Sequence, residues 1–342
     1  MIRTSPVLWM ALIAAPAVAA APDSSPRPGG LKLFRDWIVA CDNGRACESA
    51  SLATQDSALQ DVGLIVARDG AGRVTVRVRD MTGRAKTASL RVDGRTVAST
   101  TLDRDGEGMW QGAPATALVA AIGRGRRAAI LTPTSHGVSL NGAAAALRYM
   151  DDRQKRAGTT TALIARGSAR HRGTAPALPL VHVVTPPRGA ASVPATAIAE
   201  ARRRYGCVVD DGSPFSADAH RLDRRSTLVL MSCGAGAYNY LVKPLIWRDG
   251  RLTPASFDFA YHFGETPDPG QPEILVNVTW SPAGRLSSWG KGRGLGDCGD
   301  AQTFGWDGTR FRLLEAARMT ECRGAIDTLT VWRTRVEPVA PR

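Results

Sequence analysis

The chain has 342 residues, a length that fits two domains of ordinary size. Hydrophobic residues make up 44% and charged residues 22%, which excludes a collagen-like, coiled-coil or wholly disordered protein. With 44 Lys and Arg against 31 Asp and Glu, the net charge is +13 and anionic partners are the first association to consider.

The N-terminus carries Arg3, an apolar run from Val7 to Ala15 and the small residues Pro16 to Ala21. That pattern predicts a secretory signal peptide over residues 1–20, with cleavage after Ala19 and after Ala20 equally compatible. No Cys follows the run, so a lipid anchor is not expected. No later segment has the uninterrupted apolar length of a membrane span, so none is expected after cleavage. Pro22 to Gly30 reads as a disordered leader. Strands follow. Leu64–Arg68 leads through Asp69-Gly70 into Val74–Arg79, and Ser89–Val92 leads through Asp93-Gly94 into Thr96–Ala98. Asp-Gly recurs at 105–106, 211–212, 249–250 and 307–308, and supplies the positive φ of tight antiparallel turns.

Helices are few. Ala115–Ile122 is predicted to close at Gly123. Leu140–Arg156 carries an apolar stripe of Leu140, Ala144, Leu147 and Met150, with Asp151/Lys155 and Asp152/Arg156 as i,i+4 pairs on its polar side. Ser139 or Asn141 is a suitable cap and Gly158 a suitable end. A third helix is expected from Pro194 to Tyr205, capped by Ser192. Between the last two, Pro176, Pro179, Pro186, Pro187 and Pro194 break the pattern, so 158–193 reads as a Pro-rich linker or a wrapped, extended connection. Beyond it, Trp247–Leu252 and Trp306–Phe311 each place a Trp before an Asp-Gly turn. Ile274–Trp280 and Thr328–Trp332 are further strands. The expected fold class is α+β, mostly antiparallel β, in two domains with few helices: 31–157 an α+β domain and 194–338 a β-rich one.

Six cysteines, Cys41, Cys47, Cys207, Cys233, Cys298 and Cys322, suit an oxidising compartment. Local pairing, 41 with 47, 207 with 233 and 298 with 322, is the simplest of the possible connectivities. No C-x-x-C occurs and no His stands at metal spacing from a Cys, so no metal site and no cofactor are expected.

Catalytic signals are weak, and no catalytic residue is assigned. His136, His171, His182, His220 and His262 form neither H-E-x-x-H nor H-x-H. Ser288-Trp289-Gly290-Lys291 has the Ser-x-x-Lys spacing, but Gly290, Gly292, Gly294 and Gly296 oppose the helix which that chemistry needs. The same glycine run resembles an anion-binding loop, though a turn stapled by Cys298 accounts for it. Asp103–Glu107 has the spacing of a calcium-loop fragment without its closing Glu and reads as a hairpin turn. Asn277-Val278-Thr279 is a formal glycosylation sequon.

The charge is local. Residues 123–173 hold 10 basic and 2 acidic residues, while the flanking segments are nearly balanced. Arg124, Arg126, Arg127, Arg148, Arg153 and Arg156 are therefore candidate anion-binding residues, because a guanidinium offers paired donors to phosphate or carboxylate. The partner expected is an anionic envelope component such as lipopolysaccharide, anionic lipid or peptidoglycan, and no nucleic acid is expected. A solvated basic face is the plain alternative.

Three stretches carry a resemblance. They are Phe34–Asn43 with Cys47-Glu48, Val138–Gly142 with Ala145–Gln154, and Cys233–Asn239. Together they resemble bacterial domain-of-unknown-function family 1176, whose members look like exported proteins. The first half is also distantly similar to the invasion-associated locus B proteins. Lys155 stands where the family pattern leads one to expect Gly. The resemblance implies no known activity. The resulting expectation is a periplasmic or secreted, non-catalytic envelope protein. The alternative is a periplasmic hydrolase acting on cell-wall material, and a structural partner-binding protein comes third.

Overall fold

The structure is a computed structural model that describes residues 25–341, except 58, 208–215, 263, 265–267 and 269. The signal-peptide segment and the Asp211-Gly212 pair fall outside the described residues. In chain order the first half holds β1 (Leu31–Phe34), β2 (Trp37–Cys41), β3 (Cys47–Ser51), β4 (Val62–Arg68), β5 (Val74–Asp80), β6 (Thr87–Val92), β7 (Arg95–Thr101) and β8 (Glu107–Gln111). It continues with α1 (Gly112–Arg124), β9 (Ala128–Leu131), β10 (Ser135–Val138) and α2 (Ala143–Arg153). A six-stranded antiparallel sheet runs β1-β2-β3-β4-β5-β8, and a four-stranded one runs β10-β9-β6-β7.

The connecting segment contributes β11 (Leu180–Val184), and α3 (Ala195–Arg204) follows it. Next come β12 (Ala217–Arg221), β13 (Thr227–Ala235), β14 (Tyr240–Arg248), β15 (Arg251–Pro254) and the short β16 (Leu275–Val276), all in one sheet. The last antiparallel sheet joins β17 (Thr279–Ser281), β18 (Arg285–Lys291), β19 (Gly299–Trp306), β20 (Phe311–Met319) and β21 (Leu329–Arg333) in sequence order. The final strand, β22 (Arg335–Val339), turns back to pair in parallel with β11. This is a β-rich α+β fold with antiparallel sheets and three helices among the described residues.

Side chains alternate across a strand, so a strand apolar at every position must be covered on both faces. The run Trp37-Ile38-Val39-Ala40-Cys41 is buried throughout. Trp37 and Val39 pack toward α1, α2 and the four-stranded sheet, while Ile38 and Ala40 pack on Leu286, Phe304, Leu329 and Val331. The second of these clusters joins residues from both sides of the 158–193 connection in one core. That connection is tied down as well. Leu163 and Ile164 pack on the first core, and β11 lies beside β22.

The cysteines pair as 41–47, 207–233 and 298–322. The Asp93-Gly94 and Asp249-Gly250 turns both take positive φ, as two-residue hairpins require. Trp247 and Trp306 each stand on the incoming strand of a hairpin.

Five local expectations are corrected. The leader is not free over its described residues, since Pro26 is buried and the Gly29 amide donates to the Val331 carbonyl at 3.0 Å. The first helix does not close at Gly123, because α1 runs on to Arg124. Gly123 is needed for close approach, as a Cβ there would lie 2.0 Å from Ile164 Cδ1. Neither Ser139 nor Asn141 caps the second helix, which spans Ala143–Arg153 with Gly142 before it. Ser139 instead donates to Asp36 at 2.6 Å, and a Cβ on Gly142 would meet the Phe34 carbonyl oxygen at 1.7 Å. The β1–β2 corner therefore fixes where α2 begins. Ser192 likewise does not cap α3, which starts directly after Pro194 with no side-chain cap. Finally, Ile274–Trp280 is two short strands, interrupted where Asn277 takes φ +46°.

Candidate functional site

The six candidate arginines separate into three groups. Arg124 ends α1, and Arg126 and Arg127 lie in the link to β9. The Asp93 carboxylate accepts the backbone N–H groups of Arg126 and Arg127 at 3.1 and 3.0 Å. The link is thus held by its backbone, and all three side chains are exposed. Arg148 and Arg153 are exposed on α2. Five residues apart, they stand about 140° apart around the helix axis, so they flank α2 rather than share a stripe. Among the described residues none of these five arginines makes an ion pair. Elsewhere arginines commonly do, as in Arg293–Asp297 at 2.5 Å, Arg312–Asp258 at 2.6 Å and Arg323–Asp36 at 2.5 Å.

Arg156 stands apart from the five exposed arginines. It is only 5% exposed and belongs to a buried polar cluster, not to the surface. The two expected i,i+4 pairs on α2 do not form either, because the helix ends at Arg153 and Asp151 turns inward. Asp151 is fully buried. It accepts Arg68 Nη2 at 2.8 Å and the backbone N–H groups of Leu163, Ile164 and Ala165 at 2.7, 2.9 and 3.1 Å. Gln154 accepts from Arg68 Nε, and its amide donates to the carbonyls of Arg45 and Arg68 at 2.6 and 2.9 Å. Arg156 donates to Thr161 Oγ1 at 2.9 Å and to the Gly70 carbonyl at 3.4 Å. Burial pulls the Arg68 guanidinium below its ordinary value; Asp151 opposes this and Arg156 adds to it. The cluster thus holds two buried guanidinium groups and one buried carboxylate.

Sequence reasoning missed this cluster. One signal pointed to it: Arg68 closes an otherwise apolar strand, Val62–Arg68, and is itself buried.

The remaining motifs resolve into structure. Ser288 Oγ donates to the Val276 carbonyl at 3.0 Å and lies on a strand, not a helix. In the glycine run, Lys291 N donates to Asn239 Oδ1 at 3.1 Å and Gly292 N to the Cys298 carbonyl at 2.8 Å, so these amides already have partners. Asp103 Oδ1 accepts the amides of Asp105 and Glu107, both at 2.9 Å, as a turn would require. Asn277 donates to Asn239 Oδ1 and to the Trp289 carbonyl, both at 2.8 Å, and so braces the break between β16 and β17. His262 Nδ1 meets Glu273 at 2.9 Å, the one carboxylate–imidazole contact within 3 Å among the described residues. None of the hydrogen bonds of the described residues joins His262 to a hydroxyl or thiol. Burial pushes the neighbouring Tyr261 phenol up to about 12 against the opposing charge of Arg318, so it stays protonated at neutral pH. No group of three or more His, Cys, Asp or Glu is placed to hold a metal among the described residues.

Two larger clefts carry charges of both signs. One, of about 720 Å³, is lined by Asp42, Glu48 and Asp69 with Arg73 and Arg333. The other, of about 710 Å³, is lined by Asp223 and Asp307 with Arg225, Arg248 and Arg312.

A family model described as "Protein of unknown function (DUF1176)" matches residues 31–336, nearly all of the described chain. The chain belongs to this family. Among curated proteins it is 29% identical to the uncharacterized protein YpfG of Escherichia coli (strain K12), over 342 aligned positions that take in 89% of this chain and 93% of that one. Among solved structures it is similar to invasion associated protein B from Bartonella henselae. That match has 18% identity and a TM-score of 0.30, and covers 36% of this chain and 98% of the other. Two of the three stretches that carry the family resemblance supply buried framework residues in this member. Trp37 is wholly buried, with its indole N–H on the Ser139 carbonyl at 2.8 Å, and Asp151 and Gln154 hold the buried cluster.

Proposed function

We propose that the protein is exported to the periplasm or beyond and acts there as a non-catalytic envelope protein that binds an anionic component. The observation that carries this reading is the set of exposed arginines at 124, 126, 127, 148 and 153, none of which has a carboxylate partner among the described residues. A guanidinium left unpaired at the surface keeps its donors for an external anion. Three disulfides suit an oxidising compartment, and no described helix is long and apolar enough to cross a membrane. The hydrolase alternative would rest on His262 and Glu273, which lack a bonded nucleophile among the described residues.

Sedimentation with lipopolysaccharide tests the proposal. A basic residue near an anionic surface contributes about 1 kcal/mol. Reversing Arg124, Arg126 and Arg127 to Glu should therefore weaken binding by about a hundredfold or more. Unchanged sedimentation of that variant would show the reading to be wrong.

A further inference from the structure

Another cleft, of about 600 Å³, differs in its charge from the two described above. It is lined by Arg156, Thr160, Thr161, Arg170, His171 and Thr174 together with small residues, and by no acidic side chain. Arg156 is its buried wall. Two of its guanidinium nitrogens are bonded to Thr161 and Gly70, but Nε is buried with no partner among the described residues. The single carboxylate beneath, Asp151, is already taken by Arg68 and three backbone amides. A buried cation without a counter-ion is costly, and an anion arriving from outside relieves that cost.

We propose that this cleft binds a phosphate group, which names the ligand chemistry of one site within the anion-binding reading above and rests on it. Arg156 and Arg170 supply charge, and the threonine hydroxyls supply neutral donors. His171 Nδ1 donates to the Lys155 carbonyl at 3.2 Å, which leaves Nε2 for the ligand. That nitrogen accepts from a P–OH when the ring is neutral and donates to a charged oxygen when it is protonated, and phosphate offers both groups. A carboxylate offers two oxygens and no proton, so it fits the donor set less well. The exposed arginines of α1 and α2 lie outside this cleft, so the two sites can be tested apart.

Calorimetric titration of the intact chain with inorganic phosphate is the experiment, with acetate as control. Saturable phosphate binding is expected, weakened about tenfold or more by Arg170→Ala with His171→Ala. Arg170 is exposed and His171 only half-buried, so the variant should fold. The Arg124, Arg126 and Arg127 reversal should leave phosphate binding intact while it abolishes sedimentation with lipopolysaccharide. Displacement of bound phosphate by phosphatidic acid vesicles would identify a lipid headgroup as the source; no displacement would identify a free phosphate. The inference is overturned if the parent shows no saturable binding below about 10 mM phosphate. Equal affinity for acetate overturns it too, as does unchanged affinity in the Arg170/His171 variant. In each of these cases the lipopolysaccharide result still decides the surface reading separately.

Discussion

Asp151 balances one of the two buried guanidinium groups around it, and its three backbone amide partners anchor the start of the connecting segment. Replacing it by Asn keeps the shape and removes the charge, which leaves Arg68 and Arg156 buried without an anion. Removing one partner of a buried pair costs about 3–5 kcal/mol. Asp151→Asn should therefore lower the urea-derived unfolding free energy by about that amount, and a loss under about 1 kcal/mol would mean that water or another acid reaches the cluster. Lys155 presents the opposite case. It holds φ +55° just after α2 and stands where the family pattern suggests Gly. A side chain in the left-handed region costs about 1 kcal/mol, so Lys155→Gly should raise stability by about that much. The check is the shift in urea midpoint at an unchanged slope.

Elements were legible where their causes are local. Asp93-Gly94 and Asp249-Gly250 announce their hairpins because positive φ is a property of two adjacent residues. The cysteine pairs were legible because each closes within one stretch of chain, 6, 26 and 24 residues apart. Gly123 misled because its reason is the distant Ile164, and a glycine in a helical pattern otherwise reads as an end. The candidate site was legible only as a charged segment. That Arg156 is buried and Arg124 exposed depends on partners such as Arg68, which lies 83 residues before Asp151. Contacts between elements also set a pH response. His220 on β12 stacks on Trp280 of β17 with ring centres 5.4 Å apart, which joins two sheets. Burial lowers its pKa below the ordinary value, against the pull of Asp218. Its folded pKa being the lower one, its contribution is complete above the unfolded value of about 6.5 and is lost as pH falls toward and through the folded value. Unfolding free energy should thus drop between about pH 7.5 and about pH 5.5, and His220→Phe, which keeps a ring against Trp280, should flatten that part of the drop. An identical slope in the variant would assign the effect to other groups.

The molecule as a whole is organised around the six-stranded sheet, which is covered on both faces by different parts of the chain. Its first face carries α1, α2, the four-stranded sheet and the basic segment. Its second face, through Ile38, Ala40, Ala50, Leu52 and Ile65, is closed by residues from the far half such as Leu286, Phe304 and Leu329. Polar contacts follow the same seam. Thr330 N donates to Glu48 at 2.9 Å, Arg333 N to Asn43 at 2.8 Å, and Arg323 pairs with Asp36 at 2.5 Å. Removing the chain beyond residue 157 would therefore uncover an apolar sheet face along with the polar groups of Asp36, Asn43 and Glu48. A contiguous exposed apolar patch of that kind drives association. Residues 31–157 expressed alone should accordingly be aggregated or bind a hydrophobic dye strongly, and co-expression with 158–338 should restore a soluble 1:1 complex. A monomeric 31–157 fragment with cooperative urea unfolding would show instead that the first core suffices, and that the shared face adds contact area rather than foldability.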